Sequence, residues 1–240
     1  MRIVPFILTL AVVAPAACAD IVAHSLVAFG DISFTTNEQY ASPSAAAQLS
    51  YTSPGLFNGE SSSHCEYGLV GGTVSISSVD ASYPTNRALA EATFHDTLTI
   101  SGPTGAGFIQ YEYSLIGEAF GEADAHLFLN HQGDPSEELA GEATESGIYT
   151  SEFHNIIFGT PFEHGLSINI AAFIGLGETE EAAADFYAYM SAIHIFDANM
   201  TPISSYSIVS ESGTTYPLPA PSTLALLACG GLILHRRRRD

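Results

Sequence analysis

Lysine and tryptophan are absent from the chain, and cysteine occurs only three times. Each shortage removes a class of function. Of the six basic residues, Arg2 and Arg236 to Arg239 lie at the two ends, which leaves Arg87 alone between them. Of the 26 acidic residues only Asp240 lies in the tail, so the body from Asp20 to Pro219 carries 25 acids against one base, a formal charge of −24. Such a surface repels phosphate backbones, and nucleic acid is excluded as a partner. Cys18 and Cys229 belong to the ends, and Cys65 alone in the body can form no internal disulfide. Stability must then come from burial, for which a body of this length suffices as one domain. Without tryptophan, an aromatic platform for sugars would have to be built from tyrosines such as Tyr111, Tyr113, Tyr187 and Tyr189.

Catalytic and cofactor signatures are also missing. No Gly-x-Ser-x-Gly elbow is found. The glycines of residues 101–107 lack the lysine and the helix start of a phosphate-binding loop. Asp197-Ala-Asn199 begins like a calcium loop but lacks its glycine and distant glutamate, so it reads as a turn. The eight body histidines show no pair spaced for one strand face or one helix face, and His126 and His131 face opposite sides of a strand. The expectation is therefore a noncatalytic protein with no metal site and no cofactor.

What is present is short alternation. Val74 and Ile76 alternate with Thr73, Ser75 and Ser77. Phe94, Asp96, Leu98 and Ile100 share one face, with His95, Thr97 and Thr99 on the other. Asp96 on the apolar face is anomalous, and a bulge turning it to solvent is expected. Turn residues recur about every ten positions, which is the pattern of an all-β sandwich or barrel. About nine or ten strands follow from this pattern. Residues 37–47, 53–63, 131–146 and 178–185 read as loops, and the strands flanking residues 101–107 read as one hairpin. With no long amphipathic helix, the expected fold is an antiparallel two-sheet sandwich, jelly-roll-like, over residues 20–209. Residues 210–217 read as a flexible polar linker.

The ends carry addresses. Residues 1–19 combine Arg2, an apolar core and a small-residue exit, with Ala17 and Ala19 placed for signal-peptidase cleavage before Asp20. Pro15 occupies the place where a lipobox preceding Cys18 would need an aliphatic residue. Over residues 218–240 the order is a proline hinge (Pro219, Ala220, Pro221, Ser222, Thr223), an apolar run (Leu224, Leu226, Leu227, Leu232, Ile233, Leu234) and the cluster Arg236, Arg237, Arg238 and Arg239. The run is near the lower limit of about 17 residues for a membrane helix. The arginines would stay cytoplasmic and stop transfer. An ordinary C-terminal membrane anchor has the same parts.

This order resembles the PEP-CTERM sorting signal of bacterial surface proteins over about the last 24 residues, with Pro-x-Pro-Ser-Thr-Leu-Ala-Leu-Leu as its most specific portion. Ala220 stands where that family most often has Glu. The resemblance implies an exosortase-like processing enzyme as a partner beside signal peptidase, a transient stay in the inner membrane, and release to the cell surface in association with extracellular polysaccharide or biofilm matrix. Two other readings remain open from the residues. A carbohydrate-binding or carbohydrate-active module would bring carboxylates and tyrosines together on one sheet face. A calcium-stabilised adhesive protein would melt higher in calcium than in magnesium.

Overall fold

Where apolar and polar residues alternate, the backbone is extended, and burial alternates at every residue of Asn86–Ser101, with Asn86 and Asp96 the two polar side chains on the inner face. The computed structural model describes residues 20–29, 33–40, 44–53, 57–78, 86–132, 134, 136–175 and 181–217. The expected cleavage site at Ala17 and Ala19, the proline motif, the expected membrane helix and the arginine cluster lie outside the described residues.

The strands are β1 (Ile21–Phe29), β2 (Ser33–Tyr40), β3 (Ser44–Ser53), β4 (Phe57–Glu66), β5 (Leu69–Ser78), β6 (Asn86–Ser101), β7 (Ala106–Phe120) and β8 (Ala123–His131). They continue with β9 (Glu137–Ala143), β10 (Glu145–Thr150), β11 (His154–Ile157), β12 (Phe162–Ile174), β13 (Glu181–Asp197), β14 (Pro202–Ile203) and β15 (Ser207–Ser210). Sheet I runs β2-β1-β6-β12-β8-β9, with β15 also on β6. Sheet II runs β10-β7-β13-β5-β4-β3, with β11 on β7 and β14 on β13. The pairings among the described strands are antiparallel. The all-β, two-sheet expectation therefore holds. Insertion of β12 between β6 and β8, and of β13 between β5 and β7, gives the interleaved connectivity of a jelly roll. The hairpin β1–β2 widens sheet I beyond β6, and β3–β4 widens sheet II beyond β5.

Several expected loops are strands. Residues 37–47 contain the end of β2 and the start of β3, residues 53–63 much of β4, residues 131–146 all of β9, and residues 178–185 the start of β13. Serine, alanine and glutamate have weak strand preference, but a neighbouring strand that offers a hydrogen-bonding ladder overrides it. The expected hairpin across residues 101–107 is instead a crossing between sheets, since β6 pairs in sheet I and β7 in sheet II. Gly102 (φ 129°) and Gly105 (φ 90°) supply the backbone conformations for that change of direction. Alternation decides which face of a strand is buried but says nothing about which strand it pairs with.

The two sheets enclose one core with two textures. Tyr111, Tyr113, Phe94, Phe186 and Leu98 fill the jelly-roll part, all fully buried. Where β1 and β6 face β3, β4 and β5, the lining is Ala23, Ala45, Ala47, Ala88, Ala90 and Ala92 with buried Ser25, Ser61 and Ser63. Small residues let the sheets approach until hydroxyls cross the gap. Ser61 Oγ donates to the Leu89 carbonyl, and Ser25 Oγ donates to the Ala47 carbonyl at 3.0 Å. Cys65 sits here, fully buried, and burial with the nearby Glu66 charge pushes its thiol up to about 12, so it stays protonated and unreactive.

Asp96 remains inside, only 2% exposed, which corrects the expected bulge. Its carboxylate accepts hydrogen bonds from Ser210 Oγ (2.7 Å), Ser212 Oγ (2.6 Å) and Tyr216 Oη (2.8 Å). Residues 210–216 are accordingly folded back onto sheet I, with Tyr216 buried, in place of the expected flexible linker. A buried carboxylate persists in a core when its acceptor sites are filled.

Candidate functional site

The four tyrosines divide between the two faces of sheet II. Tyr111 and Tyr113 point inward from β7, whereas Tyr187 and Tyr189 on β13 point outward, each 39% exposed. The register sets their neighbours. Tyr187 lies between Ile116 of β7 and Gly71 of β5, and Tyr189 lies between Ser114 and Leu69. Ile148 of β10 pairs with Ser114 and continues the row, 70% exposed. A Cβ added at Gly71 would collide with the Tyr187 ring, so this glycine lets the ring lie down on the sheet.

Carboxylates border this surface. Asp185 pairs across the strands with Glu118. Burial and the neighbouring Glu118 charge raise the Asp185 carboxyl above its usual range. Beside the pair, Thr73, Ala119, Phe120 and Ala183 line a depression of about 510 Å³. Flat rings beside acceptor carboxylates suit a ligand with apolar C–H faces and hydroxyl donors, which is the chemistry of a sugar ring.

Histidine forms a second constellation, inside the molecule. His131 ends β8, His154 opens β11 and His164 lies on β12 directly opposite His131. All three are buried. The His164 ring stacks on Tyr111 with centroids 4.6 Å apart, and its Nε2 lies 3.3 Å from Tyr113 Oη. Burial, reinforced by His131, pushes His164 down to about 3. Burial, reinforced by His154, pushes His131 down to about 4. Both rings are neutral at ordinary pH. His126 does face the opposite side from His131, outward, 2.7 Å from Glu138.

No two histidines share one strand face among the described residues, yet two from different strands meet in space. His131 and His154 stack with centroids 4.6 Å apart, and one ligand-capable atom from each of them and one from Asp134 lie within 4.8 Å of one another. The two histidines belong to strands of opposite sheets, and no sequence spacing signals such a meeting. Asp197 makes the turn expected of it, accepting hydrogen bonds from the backbone N–H groups of Asn199 (2.8 Å) and Thr201 (2.9 Å). Among the described residues no helix is long and apolar enough to cross a membrane. Comparison with protein-family models, with curated proteins and with solved structures gives no match.

Proposed function

We propose that the chain is an exported, noncatalytic bacterial surface protein, sorted by its PEP-CTERM-like tail and bound to extracellular polysaccharide through the outer face of sheet II. In this reading signal peptidase removes residues 1–19, and the apolar run of residues 224–234 holds the protein transiently in the inner membrane. An exosortase-like enzyme then acts at the Pro219-Ala220-Pro221 hinge, and the β domain passes to the cell surface or matrix. The observation that carries the binding half is the row formed by Tyr187, Tyr189 and Ile148 beside the Asp185–Glu118 pair. The tail's hinge-apolar-arginine order supports the sorting half.

Two measurements test the halves separately. The mass of the C-terminal peptide, taken from surface and medium fractions of the native host, is expected to place the terminus near residues 219–223 with the arginines gone. A terminus intact through Arg239, found only in membranes, would make the protein a plain membrane-anchored one. For the binding face, the double variant Tyr187→Ala, Tyr189→Ala is expected to bind the host's extracellular polysaccharide about tenfold or more weakly in affinity electrophoresis, each ring contributing about 1 kcal/mol. Because both side chains are outward, the fold should survive. Unchanged retardation by the polysaccharide would remove this face from the proposal.

A further inference from the structure

The mouth between the two sheets holds the His131, Asp134 and His154 cluster. His131 is carried by sheet I through β8, Asp134 by the turn that follows, and His154 by β11 at the margin of sheet II. His131 is 5% exposed and His154 6%, while the Asp134 side chain is half exposed, so the cluster is internal with access from one side.

The polar partners of the two rings are complementary. His131 Nδ1 lies 3.1 Å from Tyr111 Oη, and its Nε2 is buried with no hydrogen-bond partner. His154 Nε2 lies 3.1 Å from Glu137 Oε2, and Glu137 is itself held by the Glu152 N–H, which donates to Oε1 at 2.8 Å. His154 Nδ1 lies 2.8 Å from Asp134 Oδ2. Each imidazole thus has one nitrogen anchored by an oxygen of a second residue. The other is either unpartnered or directed at an exposed carboxylate. Metal-binding imidazoles are oriented in this way, the nitrogen away from the cation bonding to an oxygen.

We propose that His131 Nε2, His154 Nδ1 and the Asp134 carboxylate form a binding site for a divalent transition cation of the zinc class, with Tyr111 and Glu137 as orienting groups. Ligands about 2.0–2.2 Å from a tetrahedral cation stand about 3.4 Å from one another. The Asp134–His154 contact would open slightly and the rest of the cluster close slightly, within the reach of side-chain torsions. Two imidazoles and one carboxylate suit zinc and its neighbours, whereas calcium and magnesium select all-oxygen sites. Three protein ligands leave a fourth position for water. A cation here ties the end of β8 in sheet I to β11 in sheet II. It would supply a cross-link to an exported body whose single cysteine allows no internal disulfide.

The test is titration of Zn²⁺ into the full, untagged, chelator-treated chain in mild detergent, read by competition with a chromophoric chelator. One Zn²⁺ per chain is expected. His131→Gln and His154→Gln should each weaken binding about tenfold or more, and His126→Ala should leave it unchanged. Asp134 is on the surface, so Asp134→Asn serves if a buried histidine variant fails to fold, with a similar loss expected. Co²⁺ in place of Zn²⁺ should give the intense visible absorption of a four-coordinate site. Failure of the wild-type chain to take up Zn²⁺ at micromolar free metal would overturn the proposal, as would wild-type affinity in Asp134→Asn. Displacement of Zn²⁺ by millimolar Ca²⁺ would overturn the assignment of metal class.

Discussion

Replacement of Asp96 by alanine is expected to destabilise the domain by about 3–4 kcal/mol, because hydrogen bonds to a buried charged group contribute about 1.5–3 kcal/mol each and part of that loss is recovered by rehydration. The carboxylate accepts hydrogen bonds from three side-chain hydroxyls and from the backbone N–H groups of Ser212 (3.1 Å) and Thr97 (2.8 Å). Alanine leaves Tyr216 Oη buried without a partner, or else frees the segment to water. Tyr216→Phe keeps the ring packed against the core and should cost only about 1 kcal/mol. Burial alone would raise the Asp96 pKa, but the hydrogen bonds from Ser212, Ser210 and Tyr216 outweigh it and hold the carboxyl below its usual range. A folded-state value below the unfolded one, near 3.9, means the stabilisation is complete above that pH and is lost as pH falls through the lowered folded value. Urea unfolding at pH 7 and near pH 3 checks both points. The wild type should lose stability between the two that Asp96→Ala has already lost. Equal midpoints for wild type and variant at pH 7 would show that the clasp contributes nothing. Proteolysis within residues 211–217 should also be faster in the variant, since its backbone would no longer be held against β6.

Gly72→Val should prevent accumulation of folded protein. Gly72 lies on β5 beneath the close approach of the sheets, where an added Cβ would collide with the Ser62 carbonyl oxygen and lie 2.9 Å from Ala90 Cβ and 3.2 Å from Ser63 Cα. Two of these three atoms are backbone and the third is already a methyl group, so nothing flexible can give way. Valine's two further methyls would push β6 from β5 and break the hydroxyl-to-carbonyl bonds Ser61–Leu89 and Ser25–Ala47. A penalty of about 4 kcal/mol or more is expected from overpacking plus lost buried hydrogen bonds. That is a large part of the ordinary stability of a domain. Gly72→Ala should be less damaging, and the ranking Gly, Ala, Val in thermal midpoint is the measurement. A Val variant that melts with the wild type would contradict the close packing of the sheets.

Taken alone, the sequence determined the all-β class, the acidity of the body, the export and sorting expectations at its ends, and the inward faces of its clearest strands. Val74, Ile76, Phe94, Leu98 and Ile100 are buried as their alternation requires. These properties are local or compositional, and a period of two can be read from a few consecutive residues. Tertiary structure alone decided the rest. Alternation cannot tell which of two apolar-looking faces goes in, so Tyr111 and Tyr113 became core while Tyr187 and Tyr189 became surface. Nor can it assign partners, because every pair of antiparallel strands offers the same ladder of N–H and C=O groups. Placing β6 and β7 in different sheets depended on the packing of the whole. So did the three hydroxyl partners of Asp96, which lie 114 to 120 residues away in sequence, and the meeting of His131 with His154 across the sandwich. A buried carboxylate and a histidine pair look like anomalies along the chain. They become satisfied or useful only when distant strands bring hydroxyls, a second imidazole and a carboxylate within bonding reach, since short-range polar contacts are made in space and leave no spacing in sequence.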